Sequence, residues 1–267
     1  MEKIGLLAGV GKLPVECARA ARQAGYEVYA VALLPDTDAE LKEAATDCKA
    51  ISVARLDAIL NYLKENDIHK VTMIGKVTKE LMFGGNMQPD VRMMQLIATL
   101  KNRSDDTIMM AFVRELAKEG IQAFDQTVLI KPLLPHKGNI TKREPSEEER
   151  KDLEFGLKMA RELGRLDVGQ TVVVKNLAVM ALEAIEGTDA CIKRGGALSG
   201  GKAVVVKAAK PQQDNRFDVP TVGLKTIETM VEVNACALGI EADKTLLVER
   251  EKVVALAEAN SIAIVAL

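Results

Sequence analysis

Lys3-Ile4-Gly5-Leu6-Leu7-Ala8-Gly9-Val10-Gly11-Lys12-Leu13-Pro14 is the stretch that decides the fold. Lys3 to Ala8 is a short apolar run that suits a buried strand, and it ends in a glycine turn at Gly9 and Gly11. From Pro14 to Ala24 apolar residues fall at helical spacing, and Gly25 stops the helix. Tyr26 to Leu34 is again apolar and β-branched, as a strand buried on both faces of a parallel sheet must be. The same alternation continues outward. Leu56–Asn66 predicts a helix, His69–Gly75 a strand, Val91–Leu100 a helix, and Asp105–Glu119 a helix with Ser104, Asp105 and Asp106 as capping candidates. Gly120 closes that helix and Gln126–Pro132 is expected as a last strand. Such a rhythm predicts an open parallel sheet covered by helices on both faces.

Beyond Pro132 the pattern breaks, with Pro135, Gly138 and mixed charge up to Pro145. We therefore expect an N-terminal domain over residues 1–133, a linker over 134–146, and a C-terminal mixed α/β domain over 147–267. Ser146-Glu147-Glu148-Glu149 reads as a capping box opening a helix to Leu163. Strands are expected at Thr171–Val174, Lys202–Lys207, Thr245–Val248 and Ile262–Leu267, and helices at Leu224–Ala237 and Glu251–Ala259. The cleft between two such domains is the default binding site.

Composition narrows the function. The 267 residues are 48% hydrophobic and 28% charged with a net charge of −2, so no basic face advertises nucleic-acid binding. Three Tyr, five Phe and no Trp make a base-stacking platform improbable as well. Cys17, Cys48, Cys191 and Cys236 are scattered without a Cys-x-x-Cys pair and are expected as free thiols. No window reaches the roughly 18 apolar residues of a membrane span, and the N-terminus begins directly in a strand, so a cytoplasmic protein is expected. His69 and His136 stand outside any triad or zinc motif.

What remains is chemistry run by carboxylates, cations and backbone amides. Lys207-Ala-Ala-Lys210-Pro211-Gln212-Gln213-Asp214-Asn215-Arg216-Phe217-Asp218-Val219-Pro220 is too proline-bound for a helix. If extended, it places Asp214, Arg216 and Asp218 on one face, a row suited to Mg²⁺ and phosphate, or equally to a solvated loop with a surface ion pair. A second motif, Ala184-Ile185-Glu186-Gly187-Thr188-Asp189-Ala190, leads to Arg194-Gly195-Gly196. Thr188 and Asp189 suit a helix cap, Glu186 suits a metal or an oriented water, and Arg194 suits a phosphate. Gly195, Gly196, Gly200 and Gly201 suggest a mobile or phosphate-hugging loop, or a plain hairpin connection. The Gly9–Pro14 turn suits an anion, a polar ligand, or no ligand at all. As a dinucleotide fingerprint it has Pro14 where a third glycine belongs, although Asp36 could imitate the ribose-binding acid. Lys76, in Gly75-Lys76-Val77 after a strand, could bind phosphate or simply be solvated.

Together these motifs resemble the LpxI-type UDP-2,3-diacylglucosamine pyrophosphatases, in order and across nearly the whole chain. The shared pattern is Leu7-Ala8-Gly9-x-Gly11-x-Leu13-Pro14, Gly75-Lys76-Val77, Ala184 to Asp189, and Lys207 to Gly223; the Asp105-Asp106 pair also resembles the family's. The resemblance implies an N-terminal Rossmann-like domain, a C-terminal α/β domain, and hydrolysis of UDP-2,3-diacylglucosamine to 2,3-diacylglucosamine 1-phosphate (lipid X) and UMP in lipid A biosynthesis, with Mg²⁺. On that basis Asp214, Asp218 and Glu186 are the catalytic candidates, and Asp214, Asp218 and Asp189 the metal ligands. Lys207, Lys210, Gln213, Arg216, Arg194 and Thr188 would hold the substrate with Asp189. Gly9, Gly11, Lys12, Leu13 and Lys76 would take its uridine or sugar-phosphate side. A diacylated substrate also implies transient contact with the inner leaflet of the membrane; homo-oligomerisation is left open. The rival expectations are an NAD(P)-dependent oxidoreductase and a non-catalytic lipid or nucleotide-sugar carrier.

Overall fold

A computed structural model describes residues 1–77, 88–101, 105–214, 216 and 218–267. It divides into two compact units, one of Met1–Ile130 with which Arg216 groups, the other of Lys131–Asp214 and Asp218–Leu267. Ser104 and the side chains of Asp105 and Asp106, named above as capping candidates, lie outside the described residues.

The first unit is built on a parallel sheet of β1 (Lys3–Ala8), β2 (Glu27–Ala32), β3 (Asp47–Ala50), β4 (Lys70–Ile74) and β5 (Gln122–Ala123), in the order β3-β2-β1-β4-β5. Leu6 lies beside Ala30 on one side and Thr72 on the other, at the centre of the sheet. Helices α1 (Leu13–Gln23), α2 (Leu41–Ala44), α3 (Leu56–Glu65), α4 (Val91–Ala98) and α5 (Asp105–Lys118) follow the strands. The apolar stripe of α3, Leu56, Ile59, Leu60 and Leu63, is buried in a core with Leu7, Val31 and Val71. Burial of each such side chain is worth about 1.5–3 kcal/mol.

Gln126–Pro132 is not a strand. Thr127–Ile130 forms a helical turn, α6, followed by a 3₁₀ turn at Lys131–Leu133. Asp125 is the cause: its Oδ1 accepts from both Thr127 N (2.8 Å) and Thr127 Oγ1 (2.6 Å), which bends the chain into a capped turn. The closing strand is instead the short β5 just before it.

The second unit carries a mixed six-stranded sheet. Its strands are β6 (Gly138–Asn139), β7 (Thr171–Lys175), β8 (Ala178–Leu182), β9 (Val204–Lys207), β11 (Ala237–Ile240) and β13 (Ala263–Ala266), in the order β6-β13-β11-β9-β7-β8. The two-residue strands β10 (Thr221–Val222) and β12 (Leu246–Leu247) pair separately. β9, β11 and β13 run parallel, while β7 is antiparallel to both its neighbours. Helix α7 (Glu147–Arg165) packs Leu153, Ala160 and Leu163 against Val172, Val174, Val204 and Val206. The other face is covered by α8 (Thr188–Ser199), α9 (Leu224–Glu232) and α10 (Arg250–Ala259), through Ile192, Ile227 and Val253. Residues 138–139 of the expected linker pair with β13 and so belong to this sheet. All four cysteines are free thiols.

Two further expectations are corrected here. The helix expected over Leu224–Ala237 ends at Glu232, because Asn234 turns the chain in the left-handed region (φ 52°) and releases it into β11. The glycines at 195 and 196 form no loop. They sit inside α8, where a Cβ on Gly195 would stand 2.5 Å from Val173 Cβ and one on Gly196 would strike Val233. Only Gly200 (φ 67°) ends the helix, its N–H donating to Gly196 O. Finally, β8 adds a strand that the sequence reading omitted.

Candidate functional site

In the first unit, β1 and β4 end together at the point where the strand order reverses, the place where such sheets present ligand contacts. Gly9 N donates to Ile74 O (2.8 Å), and Val10 and Lys76 exchange backbone hydrogen bonds of 3.0 and 3.1 Å. The two turns touch so closely that a Cβ on Gly9 would lie 2.6 Å from Lys76 O, and one on Gly75 (φ 96°) would lie 2.8 Å from Pro14 Cγ. Packing of one turn on the other thus explains Gly9. Gly11 (φ 104°) faces open space, and Leu13 opens α1. Lys12 Nζ reaches Asp38 at 2.8 Å and Glu40 at 2.6 Å, while Arg19 holds the other oxygen of Glu40 at 2.9 Å. The hydrogen bond from Lys12 keeps Asp38 and Glu40 below the usual carboxylate range and raises Lys12 in turn. Lys12, expected at the ligand, is here engaged with two acids. The side chain of Lys76 is exposed, as is that of Asp36.

In the second unit the site grows from one buried lysine. Thr171 and Lys207 are cross-strand neighbours on β7 and β9, and α8 begins beside them with Thr188. Gly187 makes that start, with φ 82°. Lys207, 7% exposed, donates from Nζ to Thr188 Oγ1 (3.2 Å) and to Thr221 O (2.9 Å). Thr188 Oγ1 donates to Glu183 Oε1 (3.1 Å) and stands 3.3 Å from Thr171 Oγ1. Burial pushes the Lys207 ammonium down, whereas the carboxylates of Glu183, Asp189 and Asp218 pull it up. Thr188 and Lys207 are therefore brought together with Glu183, which sequence reasoning passed over, and the charges of Asp189 and Asp218 act on the same lysine.

Glu186 and Arg194 satisfy one another at 2.6 Å; Arg194 Nη2 also donates to Leu182 O (2.7 Å), and Glu186 Oε2 accepts from Ala184 N (3.1 Å). The hydrogen bond from Arg194 holds the Glu186 carboxyl below its ordinary range. Asp189 has Lys225 at 3.5 Å. Lys210 Nζ bonds Asp167 at 2.7 Å, and Gln213 Oε1 accepts from Lys210 N at 3.1 Å. Gln213 Nε2 is buried with no hydrogen-bond acceptor among the described residues.

The segment around Asp214 is not extended. Gln213 N donates to Lys210 O (3.1 Å) and Asp218 N to Asp214 O (2.9 Å), so the chain is turned and the alternating row of Asp214, Arg216 and Asp218 does not form. The prolines exclude a helix, as expected, but leave turns open. Arg216, grouped with the first unit, directs Nη2 to Met110 Sδ at 3.3 Å. Among the described residues no three His, Cys, Asp or Glu side chains are placed to hold a metal ion, so Asp189, Asp214 and Asp218 make no three-carboxylate cage.

The sequence did hold a signal for Glu183, which directly precedes the quoted motif; without β8 it had no place in the sheet. Nothing local announced Thr171, Lys225, Asp167, Asp38 or Glu40, whose roles come from partners distant in the chain.

Residues 3–133 match the family model described as the LpxI N-terminal domain, and residues 136–265 that of the LpxI C-terminal domain. A curated protein of Caulobacter vibrioides, UDP-2,3-diacylglucosamine pyrophosphatase LpxI, is 32% identical over 270 residues, covering 97% of this chain and 95% of that protein. Two solved structures that the chain resembles are far less similar. A UDP-glucose-4-epimerase (galE) from Stenotrophomonas maltophila, with bound NAD and formylated UDP-arabinopyranose, has 16% identity and a TM-score of 0.32, covering 46% of this chain and 35% of that one. Glycinamide-RNase-transformylase T from Mycobacterium tuberculosis has 14% identity and a TM-score of 0.27, covering 52% and 38% respectively. The chain thus spans little more than a third of the length of these two, and likenesses so slight say nothing of function. Matched in both halves by the family's own domain models, and aligned almost end to end with a curated member, the chain belongs to the LpxI family.

Proposed function

We propose that this protein hydrolyses the pyrophosphate bond of UDP-2,3-diacylglucosamine to 2,3-diacylglucosamine 1-phosphate and UMP, as a step of lipid A biosynthesis. The observation that carries this reading is the full-length match to a family whose Caulobacter vibrioides member is named for acting on that substrate. The geometry of the second unit supplies suitable chemistry. A diphosphate concentrates negative charge, and hydrolysis adds more as water attacks phosphorus, so prearranged cations and donors lower the barrier. Lys207 has three N–H donors, of which Thr188 and Thr221 take two, leaving one for a phosphate oxygen. Lys210, three residues further on, is a second cation of the segment, paired with Asp167 at 2.7 Å, and the buried Gln213 Nε2 has no acceptor among the described residues. Asp214 and Asp218 are the acids assigned to orienting the attacking water.

Mg²⁺ is part of the proposal. That ion is commonly held by one or two carboxylates together with substrate phosphates, and a pair of aspartates joined by one turn suits that mode without a three-ligand protein cage. When bound, it would neutralise charge on the diphosphate. Contact with the inner leaflet belongs to the same reading, because the substrate carries two acyl chains; no described helix is long and apolar enough to cross a membrane.

The test is incubation of the protein with UDP-2,3-diacylglucosamine, with and without EDTA, measuring UMP. Release of UMP that EDTA suppresses is expected. Asp214→Ala and Asp218→Ala should each lower turnover on the order of a hundredfold, the scale of losing one key electrostatic or acid–base group. No UMP from the unaltered protein, or full turnover in both variants, would overturn the reading.

A further inference from the structure

We propose that Glu183 is a positioning residue for this hydrolysis: its buried carboxylate accepts the hydrogen bond of the Thr188 hydroxyl and so aims a lone pair of the Thr188 oxygen at Lys207 Nζ. The proposal rests on the reading of Lys207 as a phosphate-binding cation.

The argument is one of counting protons. A threonine hydroxyl has one proton and two lone pairs, an ammonium only donates, and a carboxylate only accepts. Thr188 Oγ1 meets all three kinds of neighbour, with Glu183 Oε1 at 3.1 Å, Lys207 Nζ at 3.2 Å and Thr171 Oγ1 at 3.3 Å. Its proton goes to Glu183, because Lys207 has no lone pair to receive it and a carboxylate is a stronger and nearer acceptor than the Thr171 hydroxyl. Both lone pairs are then free, one for Lys207 and one for the proton of Thr171. Every hydrogen bond in the cluster thereby has a fixed direction. Without the carboxylate the Thr188 proton can rotate toward Lys207, where it opposes the ammonium and displaces it from its place beside Thr221 O.

Glu183 is built to do this. It is 8% exposed, its N–H donates to Thr171 O (2.9 Å), and its Oε2 accepts from Gln170 N (3.4 Å). Gly169 lies so close to Glu183 O that any Cβ there would collide with it, which fixes the backbone from the other side. A buried carboxylate is costly unless hydrogen-bonded, and its principal side-chain partner here is the hydroxyl that contacts the site lysine. The cation that Glu183 serves is thus reached through Thr188, without direct pairing.

The experiment measures kcat and KM for UMP release by Glu183→Gln, Thr188→Val and the double variant, with melting temperatures alongside. Glu183→Gln should raise KM and lower kcat, for a combined loss in kcat/KM of about tenfold, the size of one misdirected hydrogen bond. Loss of folded protein alone would lower apparent kcat and leave KM in place. Because both residues act on one lysine, the double variant should lose no more than the worse single variant. Losses that multiply, or a Glu183→Gln protein with unaltered kcat and KM, overturn the proposal. Should Glu183→Gln fail to fold, Glu183→Asp keeps the charge but shortens the reach, and its full activity would equally overturn it. Unaltered protein that releases no UMP removes the enzymatic reading and this role together; active protein with an indifferent Glu183 removes this role alone.

Discussion

Lys207 is pulled in two directions. Burial disfavours its charge, while Glu183, Asp189 and Asp218 favour it, and two acceptors fix the ammonium in place. A lysine so held is both a component of the site and a support of the fold. Lys207→Met keeps the length of the side chain but leaves Thr221 O without its donor and Glu183 without an opposing charge. We expect a loss of about 2 kcal/mol in unfolding free energy, within the range for a buried polar group left without its partner. Urea denaturation would show it as a lower midpoint at unchanged slope; an unchanged midpoint would mean that the ammonium contributes nothing to stability. Lys207 was legible in the sequence as one cation of a charged segment. Its burial was not, since that depends on β7 and α8 closing over it. Glu186 drew attention for standing beside a glycine, yet its charge is met by Arg194, and the acid that Thr188 links to Lys207 is Glu183.

Among the elements, those whose signals lie within a few residues were readable. Helix α7 was placed from Ser146-Glu147-Glu148-Glu149, and the structure forms the capping box: Ser146 Oγ accepts from Glu149 N (3.2 Å) and Glu149 Oε2 from Ser146 N (2.8 Å). Ser146→Ala removes one arm and should cost about 1 kcal/mol, whereas Ser146→Asp, which keeps an acceptor, should cost less. Denaturant midpoints that rank the two variants in the opposite order would show that the cap does not hold this helix. The hairpin from β7 to β8 was not readable. Its turn residues Asn176 (φ 52°) and Leu177 (φ 58°) are both left-handed, and leucine is a poor announcement of such a turn. The turn persists because Asp152, on α7, accepts from Asn176 N (2.8 Å) and Leu177 N (2.6 Å). The glycines of α8 misled for a related reason. Their role is to let the helix approach Val173 and Val233, and close approach is a property of the packed sheet, invisible in a run of glycines.

Across the whole molecule, alternation of apolar runs with helical spacing was enough to identify an α/β chain, because that pattern is repeated many times over. The ion pairs were beyond its reach. Lys12 meets Glu40 across 28 positions, Lys64 meets Glu119 across 55, and Lys142 meets Glu258 across 116. These pairs leave a common mark on the acids. Hydrogen bonds from Lys64 and then Arg92 hold Glu119 down to about 2, and Asp38, Glu40, Glu186 and Glu258 are likewise lowered by Lys12, Lys12, Arg194 and the backbone of Lys142. The sign follows directly. A carboxyl whose folded value lies below its unfolded value releases its proton more readily when folded, so it favours the folded state at any pH above the unfolded value of about 4. That contribution is lost as pH falls toward the folded value. Melting temperature should therefore decline steadily between about pH 5 and about pH 2.5, the window these lowered groups define. Added salt near neutral pH should produce a smaller decline, because the pairs are partly exposed and are screened there rather than protonated. A melting temperature that holds level through that acid window would mean that these long-range pairs do not distinguish the folded chain from the unfolded one.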